Sequence, residues 1–178
     1  MVDSTAVLRA ELRHELADSR GRFHAMLDAI PPEAWEGRSA NPGWNVRQVV
    51  GHLADQPDAA ATLVALARSG RGLLNHAPIW LVDFANGWRV RLQTRGLTQQ
   101  SARERFERGF ERLVALVDDI GDDEFDLAAT AFRERHTVAD AFRELGRQLD
   151  DHVPQVLKRE VRPLAGEVRA SGGERACR

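Results

Sequence analysis

The residues with the clearest capacity for chemistry are histidines, and one of them lies in a short segment with a helix-capping pattern. Asn45 can cap a helix, because its side-chain oxygen can accept from a free N–H of the first turn, and Gln48 can reach back three residues later. One face of this predicted helix is apolar, formed by Val46, Val49, Val50 and Leu53. His52 lies at the edge of that face, so we expect its ring to point inward and to need a partner.

A second histidine near the end of the chain is predicted to face inward or to lie at the edge of the core. His152 lies beside an apolar stripe formed by Leu149, Val153 and Val156. Gln148 precedes His152 by four residues, and residues at this spacing share a helix face. The two side chains are therefore expected side by side, at the spacing with which two histidines of an HExxH helix hold zinc.

The other four histidines have weaker patterns. His14 and His24 fall among polar positions of the first predicted helix, and we expect both to be solvated. His136 is predicted to lie in a surface loop, and His76 in a turn before a proline.

Composition limits the classes of protein that the chain can belong to. Its 178 residues, 43% hydrophobic and 29% charged, suit one soluble domain with a sizeable core. The net charge of −2 provides no overall field for nucleic acid or acidic membranes. The single cysteine, Cys177, excludes an internal disulfide and favours a reducing compartment. With no signal-peptide pattern and no apolar run of about 20 residues, we expect a cytoplasmic protein with neither nucleic-acid nor membrane partners.

Apolar residues recur at helical spacing along most of the chain. The pattern predicts a long helix over residues 5–30, a connection over 31–44, and a second helix that starts at Asn45 and is kinked or divided at Pro57. Further helices are predicted after Pro78, after Thr98 and after Thr137, and residues 127–136 are predicted to form a loop. We therefore expect an all-α antiparallel four-helix bundle with short extra helices over residues 1–162, followed by a flexible tail over 163–178.

Three stretches of the chain, one of them the middle segment over residues 72–95, resemble the DinB-like superfamily, which includes the N-terminal domain of mycothiol-dependent maleylpyruvate isomerase and the thiol S-transferase-like proteins. Residues 43–55, GWNVRQVVGHLAD, are similar to the family's second-helix pattern of Trp, a small capping residue, Val-Arg-x-Val and His-Leu-Ala. Residues 136–145 are similar to the run that opens the family's last helix, which carries His-x-x-x-His. The resemblance covers roughly residues 5–160.

This resemblance implies a four-helix bundle in which three histidines from two helices hold a divalent metal such as zinc or nickel, often in a dimer. The ligand positions fall on His52, Gln148 and His152, so one of the three departs from the family pattern. A glutamine carbonyl oxygen is a weaker donor than imidazole for such a metal, and we expect a weakened site. Pro154 is also expected to bend the last helix near His152.

The resemblance further implies chemistry on a small electrophilic molecule. Three protein ligands would leave one metal position for water or a low-molecular-weight thiol, in support of thiol transfer or addition, isomerisation or hydrolysis. Asp55 is a candidate for the carboxylate that orients His52. Trp80, Phe84 and Trp88 recur every four residues and are candidates to line a substrate cleft, although a role in the core or in a dimer interface fits the same pattern.

Three functions therefore stay open from the sequence. The first is a metal-dependent enzyme at His52, Gln148 and His152. The second is a metal-free relative that binds or converts a small molecule in the bundle cleft, in which His52 and Gln148 would be hydrogen-bonded to each other. The third is a dimeric interaction protein. The catalytic residue is not assigned, and no phosphate-binding loop or nucleophile elbow is present in the sequence.

Overall fold

The computed structural model describes residues 4–71, 78–131 and 134–157 of the chain, and α-helices make up most of this part. The elements in chain order are α1 (Ser4–Asp28), a 3-10 turn (Pro32–Ala34), α2 (Val46–Ala54), α3 (Gln56–Ser69), α4 (Ile79–Gln93), α5 (Gln99–Asp119), β1 (Ala128–Ala131), β2 (Glu134–Thr137) and α6 (Val138–Leu157). The prediction of an all-α fold is confirmed.

Helices α1, α3, α5 and α6 enclose a common apolar core. α1 and α3 each pack against both α5 and α6, and the short α2 packs against α5 and α6. Phe23 of α1 and Phe106 of α5 stack with their ring centroids 3.9 Å apart. Fully buried side chains from three of these helices complete the centre: Leu12, Leu16, Leu113, Phe142, Leu145 and Leu149. Burial of this apolar surface is what fixes the helices that carry the polar cluster described below.

The capping residues predicted for α2 act as expected. The backbone N–H of Gln48 donates to Asn45 Oδ1 at 2.9 Å, and the backbone N–H of Asn45 donates to Gln48 Oε1 at 2.9 Å. Pro57 divides the second helical segment, because α2 ends at Ala54 and Pro57 occupies the first turn of α3. Proline is tolerated there, since the N–H groups of a first turn have no partner within the helix.

The prediction of a loop over residues 127–136 is wrong. Ala128–Ala131 and Glu134–Thr137 pair as an antiparallel hairpin, with Ala129 opposite His136. Four-residue strands are too short to show a clear alternation in sequence, and alanine gives little strand signal. His136, predicted at the surface, is buried. Asp140 and Thr137 bond each other's backbone N–H and so start α6 as predicted.

His24 is also placed differently from the prediction. It is half-buried, and its Nε2 lies 2.5 Å from Glu107 Oε1 on α5. The periodicity of one helix cannot show that a neighbouring helix supplies a partner, which is why a solvated position was expected. His14 is exposed, as predicted.

α4 carries an exposed apolar stripe. The side chains of Phe84, Trp88 and Leu92 are 67%, 55% and 42% exposed. Phe84 and Trp88 therefore belong to neither the core nor an enclosed cleft of the single chain. The side chain of Trp80, the predicted turn at His76 and the predicted tail lie outside the described residues. In the described ranges, no helix is long and apolar enough to cross a membrane.

Candidate functional site

His52 lies near the C-terminal end of α2, where the apolar face of that helix meets α6. Its side chain is only 8% exposed, and the neighbouring Leu53 is fully buried. The Trp44 ring lies beside it, with the two ring centroids 5.0 Å apart. The inward orientation predicted for His52 is confirmed.

Gln148 of α6 supplies one hydrogen-bond partner of His52. Its Oε1 lies 3.2 Å from His52 Nε2, and its amide group donates to Glu144 Oε1 at 2.8 Å. Because a carboxylate only accepts hydrogen bonds, the amide nitrogen of Gln148 is committed to Glu144 and the carbonyl oxygen faces His52. His52 Nε2–H can therefore donate to Gln148.

Gln56, a buried residue in the first turn of α3, contacts the His52 ring from another side. Its amide group donates to the backbone carbonyl of His52 at 3.3 Å, and the same nitrogen lies 3.0 Å from Nε2 and 3.4 Å from Nδ1 of the ring. A neutral His52 with its proton on Nε2 donates to Gln148 and accepts from Gln56 at Nδ1. In this arrangement the Gln148 oxygen accepts from Nε2–H. The Gln56 amide nitrogen lies 3.0 Å from Nε2 and 3.4 Å from Nδ1, so its hydrogen must point past Nε2 toward Nδ1.

His152 completes a cluster of three rings. Its centroid lies 5.0 Å from that of His52, with the two rings nearly perpendicular, and 6.2 Å from that of Trp44. His152 Nδ1 lies 3.0 Å from Gln155 Oε1. Its Nε2 has no hydrogen-bond partner among the described residues and is not sealed from solvent. We call His52, Gln148, His152, Gln56 and Trp44 the histidine cluster.

His52 and Asp55, the two titratable groups at the C-terminal end of α2, have different environments. Burial lowers the pKa of His52 to about 4. The electrostatic effect of the neighbouring His152 acts in the same direction, the hydrogen bond with Gln148 opposes it, and Arg89 adds a smaller lowering. Burial raises the pKa of Asp55, although Arg105 opposes this shift. His52 is consequently neutral near pH 7.

Asp55 does not orient His52. Its carboxylate binds Arg105 of α5, with Oδ1 2.5 Å from Nε and Oδ2 2.9 Å from Nη2. Gln56 takes the place beside the ring that was predicted for Asp55.

The structure thus brings together His52, Gln148 and His152, the three positions on which the resemblance placed the ligands. It adds three side chains that sequence reasoning missed, namely Gln56, Glu144 and Gln155. Gln56 and Glu144 lie four residues from His52 and Gln148, and Gln155 lies three residues from His152. Helical spacing was therefore a usable signal for all three.

These residues, as arranged, do not fit the divalent metal that the resemblance implies. Across residues 4–71, 78–131 and 134–157, no group of three or more His, Cys, Asp and Glu could hold a metal ion. If His52 bound a metal through Nε2, the Gln56 amide nitrogen 3.0 Å from that atom would have to make room, and the ring proton would lie on Nδ1, 3.4 Å from the same nitrogen. A metal-bound histidine usually donates its other N–H to an acceptor, and none is present there among the described residues. Metal binding by His52, Gln148 and His152 therefore stays a prediction of the resemblance.

Comparison with known proteins gives the class of protein. A helical bundle with a histidine cluster between its second and last helices is the arrangement that the resemblance predicted. The family model of the DinB superfamily matches residues 15–156. The chain belongs to the DinB superfamily. No curated protein and no solved structure matches the chain.

Proposed function

We propose that this chain is a metal-free member of the DinB superfamily that binds a small molecule carrying an S–H, O–H or N–H group at the histidine cluster. The observation that supports this function best is the 3.2 Å contact between His52 Nε2 and Gln148 Oε1. It is the contact expected of a relative in which a hydrogen bond replaces the third metal ligand.

The two histidines have different roles in this proposal. His52 is buried and neutral, and both of its ring nitrogens have partners, so it holds the cluster together. His152 donates from Nδ1 to Gln155, so its Nε2 carries the lone pair and is open to solvent. A ligand with a polar hydrogen therefore binds at His152 Nε2, with Trp44 as an aromatic wall.

The same geometry supports a reaction in which the ligand is a low-molecular-weight thiol. His152 Nε2 takes the proton from the S–H group as the sulfur forms a bond to an electrophilic carbon of a second molecule. Attack by sulfur pushes an electron pair of the electrophile's multiple bond onto its neighbouring atom, and that atom then takes the proton back from His152. The net reaction is addition of the thiol, and it needs no other reactant.

Binding is tested by thermal unfolding of metal-free protein against low-molecular-weight thiols and small electrophiles. A ligand present at about 100 times its Kd stabilises by about 2.7 kcal/mol, which corresponds to a rise in Tm of roughly 5–10 °C for a domain of this size. We expect this rise in the wild type and in a His14→Gln control, and its loss in His152→Gln. An equal rise in His152→Gln would overturn the proposal.

A second candidate function is self-association through the stripe on α4. Its support is the exposure of Phe84, Trp88 and Leu92, since a row of large apolar side chains at helical spacing is typical of an interface. Light scattering after size exclusion tests this candidate. We expect a dimer that Trp88→Ser dissociates and that Val7→Ser, at another exposed apolar residue, leaves intact. A monomeric wild type would rule it out.

A further inference from the structure

We infer that Asn41 and Gln155 are positioning residues that fix the tautomer of His152, so that its lone pair lies on Nε2. The inference deepens the proposed function and rests on it for its relevance to ligand binding. It is argued from a series of hydrogen bonds between the loop before α2 and the end of α6.

The series begins at a group whose role is fixed. The backbone N–H of Gly43 donates to Asn41 Oδ1 at 2.9 Å. A backbone N–H can only donate, so the side chain of Asn41 must present its oxygen to Gly43 and its NH2 group elsewhere. That NH2 group lies 3.0 Å from Gln155 Oε1.

The next two steps follow from the same rule. An NH2 group can only donate, so Gln155 must present its carbonyl oxygen to Asn41. The same oxygen lies 3.0 Å from His152 Nδ1, which must therefore carry a proton. A neutral imidazole with its proton on Nδ1 has its lone pair on Nε2, the nitrogen that the proposed ligand contacts.

The loop is also held to α6 through its backbone. The N–H of Ala40 donates to the carbonyl of Gln155 at 2.8 Å. This carbonyl lies in the last turn of α6, where the described residues supply no helical donor to it. This backbone bond between the loop and α6 does not involve His152. The direction of the side-chain hydrogen bonds is therefore set at the backbone N–H of Gly43 and runs from the loop toward the histidine.

Asn41→Asp is the sharpest test, because it replaces the NH2 donor by an acceptor of nearly the same shape. Gly43 still bonds one carboxylate oxygen, while the other oxygen faces Gln155 and forces its amide to turn over. The amide N–H of Gln155 then faces His152 Nδ1, and the proton of His152 moves to Nε2. Gln155→Glu is the matched control, since a carboxylate keeps an acceptor against both Asn41 and His152.

The measurement is the pair of side-chain 15N shifts of His152 in ligand-free protein about two pH units above the ordinary histidine pKa. The signals are assigned by their loss in His152→Gln. We expect the Nδ1–H form to exceed the Nε2–H form about fivefold or more in the wild type and in Gln155→Glu. The ratio should invert in Asn41→Asp.

A wild-type His152 protonated mainly on Nε2 would overturn the inference, and so would a folded Asn41→Asp protein with an unchanged ratio. If Asn41→Asp does not fold, Gln155→Met gives the second comparison. It removes the oxygen that accepts from His152 Nδ1–H, so the Nδ1–H form should no longer exceed the Nε2–H form. Ligand binding plays no part in this measurement. Failure of the proposed function therefore shows as absence of a thermal shift, and failure of the inference as the wrong tautomer.

Discussion

The burial of His52 predicts a specific loss of stability in mild acid. Its pKa is about 4 in the folded protein and about 6.5 in the unfolded chain. The unfolded chain therefore binds a proton first as the pH falls. The stabilisation that this residue contributes is complete above pH 6.5 and is lost progressively as the pH falls toward 4.

The size of the loss follows from the same shift. Each pH unit below 6.5 costs about 1.4 kcal/mol until the folded-state pKa is reached, so the wild type loses about 3 kcal/mol from this residue by pH 4.5. In His52→Gln the titrating group is absent. Its free energy of unfolding should be lower at pH 7, where His52 bonds Gln148 and Gln56, but should fall less steeply with acid.

Urea unfolding at pH steps from 7.5 to about 4.5 measures both effects. The relevant quantity is the difference between wild type and His52→Gln, because carboxylates with shifted pKa values, such as Asp55 and Glu107, contribute to both curves. His14→Gln is the control for replacing an exposed histidine. Parallel curves for wild type and His52→Gln between pH 6.5 and 4.5 would refute the argument from burial.

Two predictions concern how α2 is held in place. A Cβ at Gly51 would lie 2.2 Å from Thr94 Cγ2, so we expect Gly51→Ala to lower the free energy of unfolding by about 2 kcal/mol. Gly87→Ala on α4, where a Cβ meets no neighbouring atom of the described residues within 4 Å, should be neutral or stabilising. Removing the cap with Asn45→Ala should cost about 1 kcal/mol, measured in the same way. Equal free energies of unfolding for Gly51→Ala and Gly87→Ala would contradict the prediction for Gly51. A free energy of unfolding of Asn45→Ala equal to that of the wild type would contradict the prediction for the cap.

Local sequence patterns predicted the helices well because each carries its own signal. The apolar stripe of α1, the capping pair Asn45 and Gln48, and the break at Pro57 depend on residues within a few positions of one another. The hairpin was missed because its pairing joins two strands of four residues, neither of which shows a clear period.

The candidate site was predictable only in part. The inward positions of His52 and Gln148 follow from helix periodicity, and their association from the family resemblance. The partner of Asp55 was not predictable, because Arg105 lies fifty residues away on α5. The link between Asn41 and Gln155 was hidden for the same reason, since it joins residues 114 positions apart.

The central claim is that a hydrogen bond to Gln148 replaces the third metal ligand at the histidine cluster. The most direct test is elemental analysis and zinc titration of protein purified without a nickel column, for the wild type and for Gln148→His. We expect no stoichiometric metal in the wild type and an affinity for zinc at least about 100-fold higher in Gln148→His. Near-stoichiometric metal in the wild type, lost in His152→Ala, would contradict the claim.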